Sequence, residues 1–132
     1  MQKQLNCVLL IDDNEDDNFY HELILRETGT VRQIEVAETG HVALNFLQKT
    51  LKAPELIFLD INMPRMNGWE FLEQYRKLKT NQKANAIIML TTSLNPEDKK
   101  RANAIQEVNG FETKPLTHQM IEEILNNFFP DI

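Results

Sequence analysis

The chain has 132 residues, 42% hydrophobic and 26% charged, a length and balance that suit one globular domain with a proper core and exclude a disordered chain. A formal net charge of −6 works against phosphate backbones and anionic lipid, so direct DNA or RNA binding and a membrane surface are disfavoured. Cys7 has no second cysteine to pair with, which excludes an internal disulfide and a cysteine-based metal site, and no apolar run nears the ~20 residues that span a bilayer.

Leu5 to Ile11 reads as a first strand, with Cys7 in it as a small buried hydrophobe. Asp12 and Asp13 follow where a signal peptide would need small residues, so a cytoplasmic protein is expected. A helix starts near Glu15, its apolar side expected from Phe19, Leu23 and Ile24, and Gly29 is its stop. Val31 to Ala37 is a second, more alternating strand. Thr39-Gly40 opens a helix with Val42, Ala43, Phe46 and Leu47 on one side, and Pro54 closes that unit.

Leu56-Ile57-Phe58-Leu59 is a short continuous apolar run, the mark of a strand buried on both faces, and it runs straight into Asp60. Pro64 and Gly68 punctuate the loop beyond. Trp69, Leu72, Tyr75 and Leu78 mark a third helix, with Trp69 and Tyr75 expected to pack on the sheet. Ala86 to Leu90 is a fourth strand that delivers Thr91, Thr92 and Ser93 to the same end. Asn95 caps a fourth helix with Pro96 at its first position, running to about Val108 with a thin apolar side. Asn109 to Thr113 is a brief fifth strand ended by Lys114-Pro115, and Thr117 caps a last helix striped by Met120, Ile121, Ile124, Leu125 and Phe128. Strands alternating with helices in this way predict an α/β protein, a five-stranded parallel sheet covered on both faces.

In a parallel sheet the carboxyl ends of all strands share one edge, which collects Asp12, Asp13, Asp60, Thr91 and Lys114. Converging carboxylates repel one another and are tolerated when a cation sits among them. Magnesium suits such a site, since it takes oxygen ligands and keeps waters for phosphate oxygens to displace. With a lysine and a hydroxyl beside it, an aspartate can act as nucleophile toward a phosphoryl group. Each residue alone has a blander reading: Asp60 and Thr91 as turn residues, Lys114 as a surface lysine, Asp12 to Asp17 as a capping run. A calcium loop fails because Asp17 stands where glycine is needed and Leu23 where the last glutamate belongs. His21, His41 and His118 are dispersed and read as surface or structural residues. Lys99, Lys100 and Arg101 read as a solvated face.

The joint pattern of Asp12-Asp13, Asp60 with Met63-Pro64 and Met66-Asn67-Gly68, Thr91, and Phe111 with Lys114-Pro115 resembles the response regulator receiver domain of two-component signalling. The resemblance covers essentially all of the chain and implies a doubly wound, flavodoxin-like sheet of strand order 2-1-3-4-5. It implies a single receiver domain over residues 1–132 with no output domain, not an enzyme on an external substrate. Asp60 is then the phosphoacceptor, fed by a sensor histidine kinase or histidine phosphotransfer protein. Asp12, Asp13, Asp60 and the backbone carbonyl of Asn62 hold Mg²⁺, with Mn²⁺ able to substitute. Lys114 contacts the phosphoryl oxygens, and its bond to Pro115 is expected cis. Thr91 and Phe111 form the switch, which reshapes the fourth helix, fifth strand and fifth helix for a downstream protein, and a phosphorylation-dependent dimer is compatible with that surface.

The chain departs from the family pattern at three places: Glu107-Val108 replaces a frequent Gly-Ala pair, Thr92 is larger than the usual alanine, which is expected to slow water attack on the phosphoryl group, and Phe111 replaces a frequent tyrosine and lacks its hydroxyl. Rival readings are a magnesium-dependent phosphohydrolase, disfavoured by Asn62 where a second catalytic aspartate would stand, and a receiver-like adaptor that is never phosphorylated. A motor-binding regulator, a relay intermediate and a kinase modulator would all need the same site.

Overall fold

A computed structural model describes residues 4–131. Five parallel strands, β1 (Leu5–Ile11), β2 (Val31–Ala37), β3 (Leu56–Leu59), β4 (Ala86–Thr91) and β5 (Gly110–Thr113), form one sheet in the order β2-β1-β3-β4-β5. Between and after them run α1 (Glu15–Thr28), α2 (Gly40–Lys49), α3 (Gly68–Tyr75), α4 (Pro96–Asn103) and α5 (His118–Phe128), with one 3-10 turn at Thr80–Gln82. The expected strand order and five helices are both found.

Side chains alternate across a strand, so the apolar runs of β1, β3 and β4 feed two cores. Val8, Leu10, Leu56, Phe58, Ile88 and Leu90 pack under α1 and α5 with Leu25, Ile121 and Leu125. Leu9, Ile11, Ile57, Leu59, Ile87 and Met89 pack on the opposite face with Leu47, Phe71 and Leu72. The edge strand β2 shows the mixed burial that its alternating sequence predicts.

Local chemistry sets the helix ends. Asn14, Thr39, Asn67, Asn95 and Thr117 each accept a backbone N–H at a helix start, and Asn67 and Glu70 cap reciprocally. Gly29 ends α1 at φ 66°, a left-handed position that favours glycine. Trp69 and Tyr75 are buried as expected. The Tyr75 hydroxyl accepts the Ala84 N–H at 2.8 Å, and burial pushes its pKa up to about 12. Tyr75→Phe leaves that part-buried N–H without its acceptor and should cost about 1–2 kcal/mol in urea denaturation; an unchanged midpoint would refute the bond's contribution.

Several element-level expectations need correction. The inward face of α1 is Asn18, His21, Ile24 and Leu25, while Phe19 is 73% and Leu23 45% exposed. Residues 18, 21 and 25 share one helical face, and that face is held by the carboxamide of Asn18 on the Asp12 carbonyl rather than by the larger hydrophobes. Val42 and Phe128 also face solvent, Leu78 lies beyond the end of α3, and Cys7 is half-buried, with its thiol pushed up to about 11 by burial and by Glu35 and Glu55. The fourth helix stops at Asn103 rather than near Val108. Asn109 must pair with β4, donating to the Ile87 carbonyl at 2.8 Å and accepting the Ile87 N–H at 2.9 Å, so the chain has to extend by then.

Candidate phosphoryl and metal site

Backbone bonds carry the sheet ladder one residue past the strand ends. Asp12 N–H donates to the Ala37 carbonyl at 3.1 Å, Asp60 N–H to the Ile11 carbonyl at 3.0 Å, and Lys114 N–H to the Thr91 carbonyl at 2.9 Å. These bonds set three functional side chains on the rigid edge of the sheet rather than on free loops. Carboxylate oxygens of Asp12, Asp13 and Asp60 all lie within 4.8 Å of one another, the one such cluster among the described residues. Asp12 and Asp60 are buried and Asp13 is exposed. Asn62 and Thr92 complete the wall of an open cleft with these acids and Lys114.

The loop after β3 is shaped by close approach. Gly68 N–H donates to the Ile61 carbonyl at 2.8 Å, and a Cβ on Gly68 would stand 2.5 Å from the Asp60 carbonyl oxygen. Arg65 takes φ 70°, a strained conformation for a residue with a Cβ. The Lys114-Pro115 bond is cis, as the resemblance implied.

Electrostatics follow from crowding. Burial and the neighbouring Asp12 charge push Asp60 up to about 6, against the Lys114 ammonium and the favourable contacts of the Ile61 backbone and Thr91 hydroxyl. Burial opposes the charge of Lys114, but hydrogen bonds to Asp12 and Asp17 and the Asp60 charge outweigh it and hold its pKa above the ordinary value. Lys114 Nζ stands 2.5 Å from Asp12 Oδ2, 2.7 Å from Asp17 Oδ2 and 3.8 Å from Asp60 Oδ2.

Thr91 is fully buried, and its hydroxyl accepts the Ser93 N–H at 3.2 Å. Phe111 is half-buried, packed against the α2, α3 and α4 side of the sheet. Asp12, Asp13, Asp60, Asn62 and Lys114 thus line one cleft with the Thr91 hydroxyl beside Asp60, while Phe111 lies on β5 opposite Met89 and lines a separate groove.

Three residues at the site were not expected there. Asp17 reaches Lys114 from the first turn of α1. Asn18 donates to the Asp12 carbonyl at 2.8 Å, and its Oδ1 is buried with no partner among the described residues. His21 is buried below the acids, its pKa lowered by burial and Lys114 against the pull of Asp17 and Asp12. The signal for them was the spacing of Asp17 and Asn18 four and three residues before His21, on the turn beside the acid pair, which amphipathic reading treats as the solvent side.

The donor set consists of hard carboxylate oxygens, which fits Mg²⁺ or Mn²⁺ and not a soft metal. An acid cluster facing a lysine, at the carboxyl edge of a doubly wound sheet, is the arrangement of a phosphoryl-handling signalling domain. The sequence matches the response regulator receiver domain over residues 8–126, and the chain belongs to that family.

Among its relatives, a probable methanogenesis regulatory protein, FilR2 of Methanothrix harundinacea, is 30% identical over 128 residues, covering 89% of this chain and 79% of that protein. A two-component response regulator from Cytophaga hutchinsonii superposes with a TM-score of 0.90 at 32% identity, covering 98% of this chain and 100% of the other. The Mn²⁺-bound form of response regulator Rcp1 superposes with a TM-score of 0.75 at 25% identity, covering 96% of each chain. Receiver domains are signalling switches that take phosphoryl groups from histidine kinases or phosphotransfer proteins and bind a divalent metal at an acidic pocket. Among the described residues no helix is long and apolar enough to cross a membrane.

Proposed function

We propose that this receiver accepts a phosphoryl group on Asp60 from a phosphohistidine donor in a Mg²⁺-dependent reaction, and relays the change to a partner protein through α4, β5 and α5. The observation that carries the reading is the convergence of three carboxylates within 4.8 Å beside a buried lysine. Asp12, Asp13 and Asp60, with the Asn62 carbonyl, would hold the metal, which supplies charge neutralisation at the phosphoryl oxygens. An Asp60 carboxylate oxygen forms the new bond to phosphorus as the bond from phosphorus to the histidine nitrogen breaks, and the nitrogen keeps the electron pair. Asp60 needs to be ionised for this attack; burial and the Asp12 charge oppose that, and Lys114, the Ile61 backbone and the Thr91 hydroxyl offset them only in part.

The phosphoryl group adds negative charge and acceptor oxygens, drawing Lys114 and the Thr91 hydroxyl toward it. Helix α4 is the element best placed to respond. Its buried residues reduce to Ala102, and Arg101 ties it to α3 by standing 4.5 Å from the Trp69 ring centre. Phe111, Lys99, Leu94 and Met120 line one groove on that side.

Acetyl phosphate with Mg²⁺ should give one phosphoryl adduct by intact mass, which does not form when a chelator is present from the start and is absent in Asp60→Asn. A folded wild type that gains no adduct from either acetyl phosphate or a phosphohistidine donor would overturn the reading in favour of a receiver-like adaptor.

A further inference from the structure

The resting site contains a carboxylate that the phosphoacceptor chemistry does not use. Asp17 sits in the first turn of α1, where its backbone N–H donates to the Asn14 side chain at 3.0 Å. That cap fixes the position of its backbone, and its side chain reaches Lys114, while Glu15 and Asp16 are exposed at the rim of the same cleft. Asp17 Oδ2 accepts from Lys114 Nζ at 2.7 Å, whereas Asp60 Oδ2 stands 3.8 Å from the same nitrogen, beyond hydrogen-bond range. The lysine of the site is thus anchored to Asp12 and Asp17 and held off the residue it must serve.

We propose that Asp17 is a positioning residue that parks Lys114 and sets the rate of phosphoryl uptake. The inference rests on the phosphoacceptor reading above. Two of the three ammonium donors are used on Asp12 and Asp17, and because those bonds hold Nζ 3.8 Å from Asp60, the nitrogen closes on an oxygen at Asp60 by moving away from one of them. Asp12 is buried and belongs to the metal cluster, while the Asp17 side chain is 34% exposed and outside it. Asp17 is therefore the partner that is exchanged. Its bond to Lys114 stabilises the resting state and is given up on phosphorylation, and its charge repels the incoming phosphoryl oxygens. Both effects act in one direction: Asp17 slows uptake and favours the unphosphorylated form.

The test compares wild type, Asp17→Asn, Asp17→Ala and Asp17→Glu at saturating Mg²⁺, reading adduct formation from acetyl phosphate and its decay after the donor is removed. Asp17→Asn and Asp17→Ala should take up phosphoryl about three- to tenfold faster, the modest size reflecting an Asp17 side chain that is 34% exposed. Their decay rates should be unchanged or slower, and Asp17→Glu should return toward wild type. A merely structural role would lower uptake or alter both rates alike, and equal or slower uptake in Asp17→Ala overturns the proposal.

A wild type without an adduct would fail the phosphoacceptor reading itself. Crystal structures judge the parked lysine separately: in Asp17→Ala, Lys114 Nζ should close onto Asp60 to hydrogen-bond distance. Retention of the gap would refute the parking role whatever the kinetics.

Discussion

Replacing Asp60 by asparagine should stabilise the metal-free protein at pH 7.5 by on the order of 2–3 kcal/mol, following the pKa rise from 3.8 to about 6. The sign comes from linkage. Between these two values the folded state holds a proton on Asp60 that the unfolded chain has already released, so stability falls as pH rises through that window. Above about pH 6 the full penalty of a buried charge beside Asp12 is present; below about pH 4 it is gone, and the variant should lose its advantage. Excess Mg²⁺ should narrow the difference by binding the folded wild type more tightly. Urea denaturation with a chelator at pH 4 and pH 7.5, and with Mg²⁺ at pH 7.5, reads all three. A variant no more stable than wild type at pH 7.5 without metal would show that the carboxylates are not in conflict.

Gly68→Ala should cost about 2–3 kcal/mol and slow phosphoryl uptake at least tenfold. The new Cβ would meet the Asp60 carbonyl oxygen at 2.5 Å and the Ile61 Cα at 3.1 Å, both backbone atoms that no rotamer change can clear. The loop must shift, and Asp60 shifts with it. Gly40→Ala is the control. Its Cβ would stand 2.5 Å from the Met66 sulfur, the far part of a flexible side chain, so that variant should lose less stability and keep its uptake rate. Denaturation midpoints and adduct kinetics separate the two, and a Gly68→Ala protein with wild-type values in both would contradict the close approach.

The cluster that would receive a metal and a phosphoryl group is the least comfortable part of the resting molecule, and the sheet edge tolerates it because Asp12, Asp60 and Lys114 are tied into the strand ladder. Exchange of Lys114 between partners then requires no rebuilding of the fold.

Hydrophobic pattern and local chemistry settle the strands, the helix starts and the edge where the acids meet. Continuous apolar runs can be satisfied only by burial on both faces, and Asn14, Thr39, Asn67, Asn95 and Thr117 are caps whose chemistry is local. Once the sheet is parallel, Asp12, Asp60, Thr91 and Lys114 must share an end. Tertiary structure alone decided which face of α1 turns inward, where α4 stops, and which carboxylate holds Lys114. Phe19 and Leu23 outrank Asn18 and His21 in hydrophobicity, yet the polar pair is buried, Asn18 because its carboxamide satisfies the Asp12 backbone carbonyl. The fourth helix yields to the pairing of Asn109 with Ile87 on β4. The partnership of Asp17 and Lys114 joins residues 97 apart in the chain, a distance that only the closed sheet brings to 2.7 Å.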